Sequence, residues 1–189
     1  MKKMAIGLVF TCFIFFSAPA LNALILPQMT TEEMVSRADT IVTGKSEYFH
    51  FHPGPKGEAL YAIVAFKVDE YLKNNLGEKE LFIMHIVQER GPDGKKTEAP
   101  FAFRADEEVL LFLTEKDNEG FRHVLGLSQG IYLLSQDRQG HKVLMQEMKD
   151  VRFFDRTTGK ITSPQNARAK LRYEDFKDVV LHLSSSSSR

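Results

Sequence analysis

Two runs rich in β-branched and aromatic residues, joined by a short turn, constrain this chain more than any other feature. Thr40 to His52 reads TIVTGKSEYFHFH, and EALYAIVAFKVDEYLK follows from Glu58. Such side chains lose little on a pleated surface and pack well across it, so both runs predict strands. Pro53-Gly54-Pro55-Lys56-Gly57 between them is a turn by composition. In the second run Leu60, Ala62, Val64, Phe66 and Val68 recur with period two, and Tyr61, Ile63, Lys67 and Asp69 occupy the other face. One face of a long hairpin therefore lies on a core. Gly44 inside the first strand predicts a bulge or bend that curves the sheet. Unbroken alternation puts Phe49 and Phe51 on the face of Ile41, and His50 and His52 with Val42 and Tyr48.

Short strands are predicted downstream at Leu81–Val87, Glu108–Leu113, Phe121–Gly126, Gly130–Ser135 and His141–Gln146. Asn75-Leu76-Gly77-Glu78, Gly91-Pro92-Asp93-Gly94, Asp117-Asn118-Glu119-Gly120 and Asp137-Arg138-Gln139-Gly140 connect them with turn chemistry. Even spacing of this kind suggests a sandwich or barrel. Thr30-Thr31-Glu32-Glu33-Met34-Val35 places a hydroxyl before acidic first-turn residues and starts a helix that ends near Ala38-Asp39. Tyr173 to Leu183 puts Phe176, Val179, Val180 and Leu183 at helical spacing, an amphipathic helix over a sheet face or barrel end.

The N-terminus, MKKMAIGLVFTCFIFFSAPALNA, has the basic, apolar and small-residue order of a secretory signal peptide. Its apolar core from Met4 to Phe16 falls short of the ~20 residues of a membrane span. Cleavage is expected after Ala20 or Ala23, leaving a secreted or periplasmic chain with no stable membrane anchor. The one cysteine, Cys12, leaves with the signal peptide. Disulfides, thiolate nucleophiles and cysteine zinc sites are thereby excluded from the mature chain. Loss of Lys2 and Lys3 from 25 basic residues leaves 23 against 25 acidic ones, with no cationic run. Nucleic acid is a poor partner for such a surface. Residues 1–23 are thus read as signal peptide, 24–183 as one domain and 184–189 as a disordered serine-rich tail.

The segments SRADTIVTGK (Ser36–Lys45), VDEYLK (Val68–Lys73), ADEEVLLFL (Ala105–Leu113) and VLGLSQG (Val124–Gly130) occur in an order that resembles a group of uncharacterised bacterial secreted proteins. The same order is similar to the netrin-like domain of tissue metalloproteinase inhibitors, an OB-type Greek-key barrel with a C-terminal helix. The likeness covers Thr30 to Leu134 and its motifs are structural. It implies a mainly β fold, an OB/netrin-like antiparallel barrel with a short N-terminal and an amphipathic C-terminal helix. Those inhibitors chelate the protease zinc through an N-terminal cysteine, and neither Leu21 nor Leu24 supplies one. The likeness therefore carries the fold and leaves that inhibitory chemistry behind.

Chemistry is sparse. His50 and His52 on one strand would share a face about 7 Å apart at about 3.3–3.4 Å per residue. Zinc wants a third and usually a fourth ligand. His85 alternates with Leu81, Ile83 and Val87 and reads as a core histidine, while Glu58 lies across the hairpin. Gly91-Pro92-Asp93-Gly94-Lys95-Lys96-Thr97 lacks both the spacing and the following helix of a phosphate loop. Asp106-Glu107-Glu108 and Asp69-Glu70 flank apolar strands as solvated ends. No His-Glu-x-x-His or Gly-x-Gly-x-x-Gly occurs, and Gly126-Leu127-Ser128-Gln129-Gly130, which has the Gly-x-Ser-x-Gly spacing, runs into the strand predicted at Gly130–Ser135 where a nucleophile elbow runs into a helix. The sequence thus predicts a secreted binding or structural module without catalysis or cofactor, meeting another envelope or extracellular protein. Its expected surface is the hairpin tip and the following loop, with Phe49, Phe51, Lys56, Lys95 and Lys96. The alternative is a metal-assisted hydrolase using His50 and His52.

Overall fold

The computed structural model describes residues 24–54, 59–90, 96–98, 104–148, 151–164 and 170–186. Residues 1–23, expected as a signal peptide, and Lys56, Glu58 and Lys95 lie outside the described residues, and Lys96 is described only as backbone. In chain order the elements are β1 (Leu24–Pro27), α1 (Thr31–Arg37), β2 (Thr40–Pro53), β3 (Ala59–Lys73), β4 (Glu80–Arg90), β5 (Lys96–Glu98) and β6 (Glu108–Leu113). A 3₁₀ turn (Leu127–Gly130), β7 (Ile131–Gln136), β8 (Lys142–Met145), β9 (Val151–Phe154), β10 (Ile161–Thr162), β11 (Leu171–Arg172) and α2 (Tyr173–Ser186) complete them.

The fold is mainly β, as the sequence predicts. Eight strands form one sheet in the order β11-β8-β7-β6-β2-β3-β4-β5, and β1-β9-β10 form a second. The large sheet is open at β11 and β5, so the named strands do not close into the expected barrel. The predicted strand at Phe121–Gly126 makes only two isolated bridges, parallel at Ile83 and antiparallel at Leu113. Its hydrogen bonds are divided between two strands: Met84 N–H donates to Arg122 O at 2.8 Å on β4, and Leu125 N–H donates to Phe112 O at 2.8 Å on β6. No continuous ladder forms on either.

Three register shifts shape the β2–β3 hairpin. Ser46 opposes Phe66 and Tyr48 opposes the adjacent Ala65, which leaves Glu47 as an extra residue in β2. One extra residue inverts the side-chain alternation beyond it. Phe49 therefore packs in the cluster of Val42, Val64, Phe66 and Ile83, whereas Ile41 belongs to a different cluster. The face shared by Phe49 and Ile41 under strict alternation does not exist. Gly44 sits at another shift, where an added Cβ would collide with the Lys67 carbonyl oxygen. Only hydrogen fits in that approach.

Strand β6 is buried on both sides. Val109, Leu111 and Leu113 enter the cluster between β2, β3 and β4, while Leu110 and Phe112 face Met34, Val35, Tyr132, Phe176 and Val180. Both helices thus cover the β6–β7–β8 side. A capping box starts α1: Glu33 N–H donates to Thr30 Oγ1 at 3.2 Å, and Thr30 N–H donates to Glu33 Oε2 at 2.9 Å. Lys73 closes its other end, donating from Nζ to the carbonyls of Val35 and Ala38, both at 2.6 Å. Burial lowers the pKa of that ammonium, and the Asp39 charge opposes the shift. Helix α2 runs to Ser186, past the Leu183 end that the sequence suggests. The Ser185 and Ser186 hydroxyls donate to His182 O at 2.8 and 3.0 Å, satisfying a carbonyl at the helix end.

Candidate binding face

The helices leave one face of β2–β3–β4 uncovered. Register places three rows across it: Tyr48–Ala65–Phe82, His50–Ile63–Met84 and His52–Tyr61–Ile86. Facing residues in an antiparallel ladder share a side of the sheet, so all nine side chains point the same way. The opposite side at this level carries Phe49, Val64 and Ile83, which pack in the core. Tyr48 is 53% and Phe82 43% exposed, although both are large aromatics. With strands about 4.8 Å apart, these two residues sit about 10 Å apart on either side of Ala65.

A charged row bounds this face on the side of the sheet's body. Lys45, Lys67 and Glu80 form the next row towards the body of the sheet, and Glu47 on the bulge pairs with Lys67 at 3.8 Å. The three rows beyond contain no carboxylate, lysine or arginine. Their polar groups are two phenol hydroxyls and two imidazoles.

His50 and His52 do share a face. Their cross-strand partners are Ile63 with Met84 and Tyr61 with Ile86, so no acid stands beside either imidazole in these rows. Among the described residues no group of three or more His, Cys, Asp or Glu is arranged to hold a metal ion. His85 is buried, in the row Phe51–Ala62–His85 on the reverse side. Phe51 is 54% exposed on that reverse side, and Phe49 is partly buried against the core. The structure thus separates Phe49 and Phe51 from the two histidines and brings Tyr48, Phe82, Ile63 and Met84 to them instead. Alternation in the sequence already placed Tyr48 with the histidines and Ile63 on the mixed face of the second run, whereas Phe82 and Met84 reach them only through the β3–β4 register.

Comparison with protein-family models, with curated proteins and with solved structures finds no match to this chain. Among the described residues no helix is long and apolar enough to cross a membrane.

Proposed function

We propose that this chain is a secreted or periplasmic binding module without catalytic activity, which docks a folded envelope or extracellular protein through the open face of β2–β3–β4. The row Tyr48–Ala65–Phe82 carries this reading: two half-exposed rings flank a methyl group on a surface free of charge. Protein interfaces concentrate aromatic residues and methionine at a charge-depleted centre and place polar groups at the rim. Met84 and Tyr61 extend the centre, and Lys45, Glu47, Lys67 and Glu80 supply the rim. The near balance of acidic and basic residues argues for a protein partner over a polyanion.

The same reading includes an OB/netrin-like ring. Its support is the segment Phe121–Leu125, which hydrogen-bonds to β4 at Arg122, to Thr114 just past β6 at His123, and to β6 at Leu125. With it the circuit β2-β3-β4-segment-β6-β2 has five members, as in the partly open OB barrel. OB barrels bind through an outer strand face and the loops at its rim, which is where the three rows lie.

Photo-crosslinking tests the proposal. A benzophenone side chain placed at Phe82 in the mature protein is expected to capture one envelope protein, and the same group at Val179 on α2 is not. The purified pair should then bind, and Tyr48→Ala with Phe82→Ala should weaken it by about 2–4 kcal/mol. Equal capture from Val179, or unchanged binding by the double variant, overturns the reading.

A further inference from the structure

A second feature lies between the two sheets. The small sheet and the main body are separated by a cleft of about 640 Å³. Met29, Met34 and Tyr132, from the cluster that seats α1, form one wall. Met148 and Phe153, from the small sheet's own cluster, form the other. Three of the seven methionines in the sequence therefore line one cavity. Thioether side chains are unbranched and polarizable, and they adapt to ligands of varied shape. The volume falls within the range of about 300–1,000 Å³ typical of small-molecule sites.

The walls are held apart by a fixed frame. Gln129 is buried and accepts from Met29 N–H at 2.9 Å while its amide donates to Pro27 O at 3.0 Å. Gln146 in turn donates to Gln129 O at 2.6 Å. The charge in the lining is of one sign. Glu32 and Asp155 line the cleft, and no lysine, arginine or histidine does so among the described residues. The Thr158 hydroxyl and the Thr157 and Thr158 amides hold the Asp155 carboxyl below the usual range. Hydrogen bonds from its own backbone and from Thr30 do the same for Glu32.

We propose that this cleft binds a small apolar cation, an alkyl- or arylammonium, with its hydrocarbon between Met29, Met148 and Phe153 and its charge towards Glu32 and Asp155. The Tyr132 and Phe153 rings add faces that attract a cation. A carboxylate or phosphate ligand would meet two anions and, among the described residues, no counter-charge in the lining.

The test uses the mature chain and a neutral fluorescent probe, N-phenyl-1-naphthylamine, displaced by octyltrimethylammonium or by octanoate below their micellar concentrations. Probe fluorescence should rise on binding, and the ammonium should displace it at about tenfold lower concentration than octanoate. Met148→Lys should abolish probe binding. Because Met148 is buried, Glu32→Lys at an exposed position gives an independent readout and should bring the two displacement concentrations to within about threefold. Phe82→Ser, on the β2–β3–β4 face and outside the cleft lining, should leave the probe signal unchanged. Absence of probe binding, equal displacement by octanoate in the unmodified protein, an unchanged ratio in Glu32→Lys, or loss of signal in Phe82→Ser overturns the proposal.

Discussion

Arg122 Nη1 donates to Asp39 Oδ2 at 2.6 Å, joining residues 83 positions apart at the point where α1 hands over to β2. The arginine is nearly fully buried, and its Nη1 also donates to Thr114 O at 2.6 Å. Removing one partner of a buried pair strands the other, so Asp39→Ala should cost about 3 kcal/mol in urea unfolding. Adding Arg122→Met should recover at least about 1 kcal/mol, because the uncompensated cation is gone. A double variant no more stable than Asp39→Ala would show that the pair is not the source of the loss.

Gly44→Ala should be much worse than an alanine at Gly77. The first drives a methyl group into the Lys67 carbonyl and the Phe66 ring, and should cost about 3 kcal/mol. The second meets nothing within 4 Å and carries only the left-handed φ of +70°, a cost of about 1 kcal/mol. Parallel denaturant titrations of the two variants measure the difference.

Gln129→Met removes the two hydrogen bonds, to Met29 N–H and Pro27 O, that hold the β1 region, while keeping an apolar stem. A loss of about 1–3 kcal/mol is expected. The effect should be local: hydrogen exchange at Met29 and at the β1 amides speeds up, and that at Val109–Leu113 hardly changes. Uniform acceleration across both regions would contradict a clasp that acts only on the small sheet.

Acid should loosen α2 from β3. Partial burial alone would raise the Glu70 pKa, but hydrogen bonds from Lys177 and from the Tyr173 hydroxyl outweigh it and hold the carboxyl below its ordinary 4.5. A carboxylate with a depressed folded pKa adds stability above its unfolded value, and that stability is lost as pH falls through the folded one. Wild-type protection of the α2 amides should therefore decline below pH 4.5. In Glu70→Gln that acid dependence should be weaker, with lower protection at neutral pH. Identical pH profiles would remove Glu70 from this role.

Local patterns made much of the fold legible. The capping box at Thr30–Glu33, the apolar run of β6 and the period of Leu60, Ala62, Val64 and Phe66 each involve neighbours in sequence, where backbone geometry alone dictates which side chains share a face. The candidate face was half legible: His50, His52 and the mixed character of Tyr61 and Ile63 were visible, but the opposition of Tyr48 and Phe82 was not.

Tertiary structure decided what depends on counting across a bulge or on distant partners. Glu47 stands outside the ladder, so Phe49 turns inward and Tyr48 outward, a choice set by the core beneath Val64 and Ile83. The pairing of Leu24 with Val151 and the clasp of Gln129 on Pro27 join segments with no common local pattern. Sequence alone determined the long strands β2, β3, β4 and β6, the strands β7 and β8 and the two helices, because those preferences are summed over adjacent residues, whereas the short strands β1, β9, β10 and β11 carry no such signal. Which face stays open, and where a cleft remains between two sheets, follow from packing that only the assembled chain can satisfy.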